Sequence, residues 1–257
     1  LKRNRILLLH SHFGHKGFYD LRLVAKLKVP HITTFYGSDL NRLPCVDPRW
    51  KERYRELFDK CDLFLVEGSY MRKSLIELGC PEGKIIVQHL GVDLNRIPFK
   101  PRKAPSDGKI NILAAGTFTE KKGLPYALKA FAIVRDRHPK LKMKFILIGG
   151  VPNRQERYIR TEREILDTIE RYRLWDSVEL LGYLPYAEYI RQALQSHIFV
   201  SPSVRASNGD AEGGAPVAII EMSASGMPIL ATFHCDIPEV VLDGLTGFLV
   251  PERDVEA

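Results

Sequence analysis

NGDAEGGAPVAIIEMSASGMPILAT, residues 208–232, is the stretch on which the reading of this chain turns. It sets Glu212 and Glu221 on either side of a glycine-proline turn and an apolar run. Gly213, Gly214 and Pro216 predict a tight loop feeding a helix, with proline near the first turn. Ala218, Ile219 and Met222 recur at helical spacing, Ser225 is small enough to continue that face, and Gly226 ends the helix. Residues 228–232 read as a short buried strand. A glycine loop that opens a helix offers free backbone N–H groups to a phosphate. Glu221 lies about a turn and a half into the helix, within reach of a sugar diol beside such a phosphate. A carboxylate is acceptor-only, so it binds two adjacent hydroxyls at once. An isolated pair of this kind is more often a solvated loop acid plus a helix-surface glutamate, so the flanking sequence has to decide.

Outward from that stretch the chain reads as two α/β series. In the first, residues 6–10 form an apolar strand that ends in a polar loop, 11–17. A helix over about 18–27, a strand over 31–35 and a loop over 36–39 follow. A basic amphipathic helix is expected over 48–59, a strand over 63–66, a helix over 70–78 and a strand over 85–89. This is the rhythm of a parallel sheet whose ligand loops lie at strand C-termini. Residues 98–108 are rich in Pro, Lys and Ser, a linker composition. The second series predicts strands over 110–114, 143–148, 178–181 and 198–201, with helices over 125–136, 156–173 and 186–195. The expected organisation is therefore 1–97, a linker over 98–108, and 109–257.

The 257 residues suit one large domain or two ordinary ones, and 45% hydrophobic with 27% charged residues is an ordinary globular balance. The net charge of +7 favours anionic partners, but the basic residues are scattered and no nucleic-acid motif occurs. No apolar run approaches a membrane span. Cys45, Cys61, Cys80 and Cys235 lack CxxC spacing and read as free thiols in a reducing compartment. No P-loop, HExxH, GxSxG or GxGxxG motif is present.

With its flanks, the 208–232 stretch closely resembles the carboxylate-pair signature of retaining glycosyltransferases of family 4, the glycosyl transferases group 1. The resemblance implies an α/β, GT-B fold: two Rossmann-like parallel-sheet domains, acceptor side first and nucleotide-sugar side second, with the site in the cleft between them. It makes Glu221 the ribose ligand and places Glu212 near the donor sugar. The family sets seven residues between the two glutamates and this chain has eight, so Asp210 can share the place of Glu212. The segment from Gly116 to Gly123 resembles the family's G-R-x-x-x-x-K-G diphosphate loop. Lys122 matches, whereas Thr117 stands where the family has Arg. Lys121 or an arginine elsewhere compensates, or the diphosphate is stabilised less.

Gly149-Gly150 resembles the glycine turn beside the nucleotide, and Gly182-Tyr183-Leu184 the lining of the base pocket. Residues 233–239 occupy the sugar-facing G-G-x-P-E region, with Cys235 and Asp236 replacing the usual small pair. In the first series, residues 10–14 and 34–39 resemble the acceptor-side loops. His12 is the candidate polar cleft residue, Tyr36 stands where many relatives have His, and His10 reads as structural. Residues 89–93 resemble the G-V-D turn that closes the first domain.

The resemblance thus implies His12, Lys122 and Glu212 as catalytic. It implies substrate contacts from Gly14, Asp39, Gly116, Thr117, Lys121, Gly150, Tyr183, Gly213, Gly214, Ala215, Pro216, Val217 and Glu221. It implies transfer of a sugar from a nucleotide-diphosphate sugar to a glycan or lipid-linked acceptor, with retention, in cell-surface polysaccharide or glycoconjugate synthesis. No cofactor and no metal are expected, although Asp210 and Glu212 form a D-x-E pair of the kind that binds Mg²⁺. Lys122 and the helix dipole at Ala215 would stabilise the departing diphosphate, which takes the acceptor proton. A GT-B nucleotide-sugar epimerase, a phosphorylase and a non-catalytic nucleotide-sugar-binding subunit are the competing readings. Relative to the family, the start of the first domain and the C-terminal helices are missing.

Trp50, Tyr54, Leu57 and Phe58 share one helical face, with Arg49, Lys51, Arg53 and Arg55 around it. Such a helix suits either a core position or an anionic membrane surface. A cytoplasmic location, peripheral on the inner face of the membrane, is the corresponding expectation.

Overall fold

Leu113, Ile146, Phe199 and Ile229 fall in one buried cluster, while their neighbours Ala114, Phe145, Leu147 and Val200 fall in another. Side chains that alternate between two cores define strands buried on both faces, and hence a sheet with helices on either side. The computed structural model, which describes residues 6–105 and 107–257, divides into two compact units, of which the second has this build. One comprises the chain up to Leu90 together with Ala206–Ala215, and the other comprises Gly91–Arg205 and Pro216–Ala257.

The first unit is a four-stranded parallel sheet in the order β1-β2-β3-β4, with strands Leu9–His12, His31–Thr34, Leu63–Val66 and Ile85–Val87. Its helices are α1 (Gly14–Leu27), α2 (Leu43–Val46), α3 (Arg49–Lys60) and α4 (Ser69–Glu77), with a π-helical turn over Ser38–Arg42. The first strand is shifted from the expected 6–10, and α1 starts at Gly14 where a loop to 17 was expected. The apolar residues Leu7 and Leu8 are exposed, whereas Ser11 is buried. Ser11 is tolerated inside because its hydroxyl is paired, and a second polar contact joins β1 to β2. The Ser11 hydroxyl donates to Asp20 at 2.7 Å and lies 2.9 Å from His31 Nε2, and His10 Nε2 lies 2.7 Å from Thr34 Oγ1.

The aromatic face of α3 settles into the core. Trp50 is 5% exposed and Tyr54, Leu57 and Phe58 at most 2%. Phe35, Phe64 and Met71 complete this cluster. These rings are therefore unavailable for insertion into a bilayer, which removes the apolar half of the membrane expectation for this segment. No helix among the described residues is long and apolar enough to cross a membrane.

The second unit is a six-stranded parallel sheet in the order β10-β9-β8-β5-β6-β7. The strands are β5 (Lys109–Ala115), β6 (Lys142–Ile148), β7 (Val178–Gly182), β8 (Ile198–Ser201), β9 (Ile229–Thr232) and β10 (Gly247–Val250). Helices α5 (Leu124–Arg137) and α6 (Glu156–Arg171) contribute Leu128, Phe131, Ile165 and Ile169 to one core. Helices α7 (Tyr186–Gln195) and α8 (Val217–Ala224) contribute Ile190, Ala193, Ile219 and Met222 to the other. The chain leaves β5 toward β7, then returns to pair β8 on the opposite side of β5. That reversal is a topological switch point, and open α/β sheets hold ligands outside the strand C-termini there. The helix expected to run to 173 ends at Arg171, and β10 was not anticipated.

Candidate functional site

The switch point fixes which residues of the second unit meet. The loop after β5 carries Gly116, Thr117 and the 3₁₀ turn Glu120–Lys122, and the loop after β8 carries Pro202 to Arg205. They are joined through the backbone, because the Val204 N–H donates to the Lys121 carbonyl at 2.8 Å. Gly123 makes the join possible. Its φ is +62°, and a Cβ there would lie 1.9 Å from the Pro202 carbonyl oxygen. Only glycine tolerates both conditions. The adjoining loops are knitted in the same way. The Phe118 N–H donates to the Gly150 carbonyl at 2.8 Å, and the Gly149 N–H to the Gly182 carbonyl at 2.8 Å.

On this scaffold the Lys122 stem lies against Gly116, whose missing Cβ would sit 3.3 Å from Lys122 Cε. Tyr183 is exposed, its ring lies over Gly150, and its hydroxyl donates to the Gly150 carbonyl at 2.7 Å. Gly116, Thr117, Lys121, Lys122, Gly150 and Tyr183, named separately from the sequence, thus lie on three neighbouring loops at one edge of one sheet.

Helix α8 begins at Val217 with Pro216 at its N-cap, and Glu221 stands in its second turn. Two tyrosines of α7 attend Glu221. The Tyr186 hydroxyl is pushed up in pKa by burial and by its hydrogen bond to the Glu221 carboxylate. Tyr189 is pushed up by burial and by the same carboxylate's charge. The Arg96 guanidinium lies 4.3 Å over the Tyr186 ring. Glu221 is therefore held from a second helix, an arrangement that aims a carboxylate.

Both helices are fastened at their far ends by Arg102. It donates to the carbonyls of Ala193 at 2.9 Å and Ser196 at 3.0 Å, where α7 ends, and of Ser225 at 2.8 Å, where α8 ends. Helix C-termini carry unpaired carbonyls and partial negative charge, which a guanidinium satisfies. The motifs did not single out Tyr186, Tyr189, Arg96 or Arg102. The tyrosines three residues apart on an expected helix were the one available signal.

In the first unit, Gly213 and Gly214 press on the segments that follow β2 and β3. Gly213 has φ +83°, and a Cβ on it would lie 2.4 Å from Gly37 Cα. A Cβ on Gly214 would lie 2.0 Å from Glu67 Oε2. Glu212 precedes this contact, its carbonyl lying against Gly37. Ala215 ends the segment that belongs to this unit. His12 closes β1 and is exposed, with Nδ1 2.6 Å from the Tyr36 hydroxyl.

Gly14 and Asp39, expected as substrate contacts, are both buried. Gly14 is buried under the Phe35 ring. Asp39 is 3% exposed, and its oxygens accept the N–H groups of Gly14 at 2.6 Å and Tyr36 at 2.8 Å. Burial pushes the Asp39 carboxyl up to about 6 against those bonds. Asp39 is a brace that ties the start of α1 to the loop carrying Tyr36.

Residues 109–257 match the family described as "Glycosyl transferases group 1", and residues 1–96 match "Glycosyltransferase Family 4". The chain belongs to the glycosyl transferases group 1. It is 34% identical over 249 residues to "Putative colanic acid biosynthesis glycosyltransferase WcaL" of Escherichia coli (strain K12), covering 96% of this chain and 58% of the relative. It is 32% identical over 248 residues to "Amylovoran biosynthesis glycosyltransferase AmsK" of Erwinia amylovora, again covering 96% of this chain and 58% of the relative. The chain thus spans 58% of the length of these curated relatives.

Among solved structures, sucrose-phosphate synthase from Thermosynechococcus elongatus superposes with a TM-score of 0.77 at 20% identity, covering 97% of this chain and 62% of that one. Anabaena Alr3699/HepE, solved in complex with UDP, superposes with a TM-score of 0.77 at 17% identity, covering 95% and 65%. These likenesses establish the GT-B fold.

Proposed function

We infer that the protein is a retaining glycosyltransferase that moves a sugar from a nucleoside-diphosphate sugar to a glycan or lipid-linked acceptor in polysaccharide synthesis. The observation that carries this reading is the second unit's switch point. There Lys122 rests on Gly116 beside the Tyr183–Gly150 platform. Relatives named for polysaccharide synthesis and a fold neighbour solved with UDP support the substrate class.

In this reading Glu221 binds the ribose diol, and Tyr183 and the Gly149-Gly150 turn border the base. Lys121, Lys122 and the N-terminus of α8 at Pro216 and Val217 neutralise the departing diphosphate. Thr117 offers a hydroxyl in place of a guanidinium, so Lys121 shares the cationic role. Glu212 and His12 serve the sugar and acceptor side, with Tyr36 holding the His12 ring. The departing phosphate takes the acceptor proton, and no metal or cofactor is required.

Calorimetric titration of the full-length protein with nucleoside diphosphates tests the donor half. A carboxylate that binds a diol is worth about 1.5–3 kcal/mol, so Glu221→Ala is expected to weaken binding about 10- to 150-fold. Unchanged affinity in a folded variant refutes the ribose assignment. Turnover of a nucleotide-sugar panel in the presence of chelator, with the product anomer read by NMR, tests the rest. An inverted anomer, or activity abolished by chelation and restored by Mg²⁺, overturns the retaining, metal-free chemistry.

A further inference from the structure

Just past β9, Cys235 has a left-handed backbone with φ +48°. A non-glycine residue there costs on the order of 1–2 kcal/mol, so the surroundings must hold it. The turn folds the side chain back over the preceding residue and brings Cys235 Sγ to 3.2 Å from His234 Nε2. His234 is 2% exposed, and its other ring nitrogen, Nδ1, lies 2.6 Å from Glu252 Oε1, just beyond β10. Glu252 is fixed in its turn. Its Oε2 accepts the Arg205 backbone N–H at 2.9 Å and the Arg253 guanidinium at 3.1 Å, while Arg253 also donates to the Arg205 carbonyl.

Burial would raise the Glu252 carboxyl, but the hydrogen bonds from His234 and the Arg205 N–H outweigh it and hold the carboxyl below its ordinary range. An ionised Glu252 accepts a proton-bearing Nδ1, which leaves the Nε2 lone pair facing the sulfur. Tying the turn after β9 to the end of β10 needs only the Nδ1 contact. The Nε2–Sγ approach is additional, and it is the nucleophile–base–orienter order of covalent catalysis.

The other thiols differ. Cys61 and Cys80 are buried, and burial pushes both thiols up, Cys80 to about 12. Cys45 is exposed, and Cys235 is half-buried. All four are free of disulfides.

We propose that Cys235, His234 and Glu252 form a thiol–imidazole–carboxylate relay that makes Cys235 the reactive thiol of this chain, a modification site for soft electrophiles and small disulfides. His234 Nε2 takes the S–H proton, and the sulfur's electron pair attacks one sulfur of a low-molecular-weight disulfide. The S–S bond breaks, and the departing thiolate takes the proton back from the imidazolium. The products are one mixed disulfide on Cys235 and one small thiol. The Cys235 sulfur is oxidised to the disulfide level as the departing sulfur is reduced. With a haloacetamide, an S–C bond forms as the carbon–halogen bond breaks, the halide leaves, and the proton passes to solvent. Ionisable groups near the pair include Glu252 and Arg253 and, on the same turn, Asp236 and Glu239.

The test is competitive labelling of the reduced full chain with substoichiometric iodoacetamide, each cysteine quantified by peptide mass spectrometry. Cys235 is expected to label about tenfold faster than exposed Cys45 at pH 7, with the advantage widening at pH 6. Glu252→Gln is expected to reduce that advantage at least threefold, and His234→Ala to abolish it. Because His234 is buried, the wild-type pH profile and Glu252→Gln carry the test should His234→Ala fail to fold. Glutathione disulfide is expected to add one glutathione at Cys235, released by dithiothreitol. Labelling of Cys235 no faster than Cys45 at both pH values, or wild-type rates in folded Glu252→Gln, overturns the relay.

Discussion

Arg102→Ala tests whether one guanidinium holds two helices in place. The side chain reaches the carbonyls of Ala193, Ser196 and Ser225 and the Ser225 hydroxyl, all between 2.8 and 3.2 Å. A hydrogen bond to a charged group contributes about 1.5–3 kcal/mol, but bonds that share one ion are not additive. Arg102 is only partly buried, so water replaces some of what is lost. The net cost is then about 2–4 kcal/mol. At about 2–4 °C per kcal/mol, the melting temperature falls by roughly 5–15 °C.

Hydrogen exchange locates the effect. Amides near the ends of α7 and α8 should exchange faster, while those of α1 in the other unit keep their rates. Arg102→Lys should recover only part of the loss, because one ammonium cannot span both helix ends as a planar fork does. A melting temperature within about 1 °C of wild type, with unchanged exchange at both helix ends, refutes the clamp.

Two further outcomes follow from the backbone and from burial. Gly123→Ala combines φ +62° with a Cβ 1.9 Å from the Pro202 oxygen, so it should cost about 3 kcal/mol or more in denaturant titration; a loss under about 1 kcal/mol means the loop relaxes freely. Asp39 has a native-state pKa raised from 3.8 to about 6, so the folded chain holds that proton more tightly than the unfolded one. Its stabilising share is complete below pH 4 and is lost as pH rises through 6, by at most about 3 kcal/mol. Urea titrations from pH 4 to 7 should show that decline in wild type and not in Asp39→Asn, and parallel curves count against it.

The two α/β series were legible because short apolar strands alternate in them with helices whose apolar residues recur every three to four positions. The first strand was read two to three residues early because exposed Leu7 and Leu8 look like strand positions while buried Ser11 does not. Its hydroxyl is paired with Asp20 and lies against His31, and periodicity does not record partners. The places of Lys122, in the turn before α5, and of Glu221, inside α8, were legible because each follows a glycine turn within a local motif. Arg102 was hidden inside a composition that reads as linker, and its partners lie at least 91 residues away in Ala193, Ser196 and Ser225. Tyr186 and Tyr189 meet Glu221 from a separate helix, a pairing that no local pattern records. The contact of Cys235 with His234 depends on a left-handed backbone that sequence favours at glycine and not at cysteine.

The join between the loops after β5 and β8 is made by main-chain atoms, Val204 N–H to Lys121 carbonyl, with Gly123 at its crossing. Such a seam is blind to most side chains. The cost of ordering these loops falls on folding, and a ligand arrives at a surface already set. Side chains on the seam's rim can also change identity without reshaping it. On the proposed reading, Thr117 then stands where the resembled motif has an arginine while the backbone keeps its form.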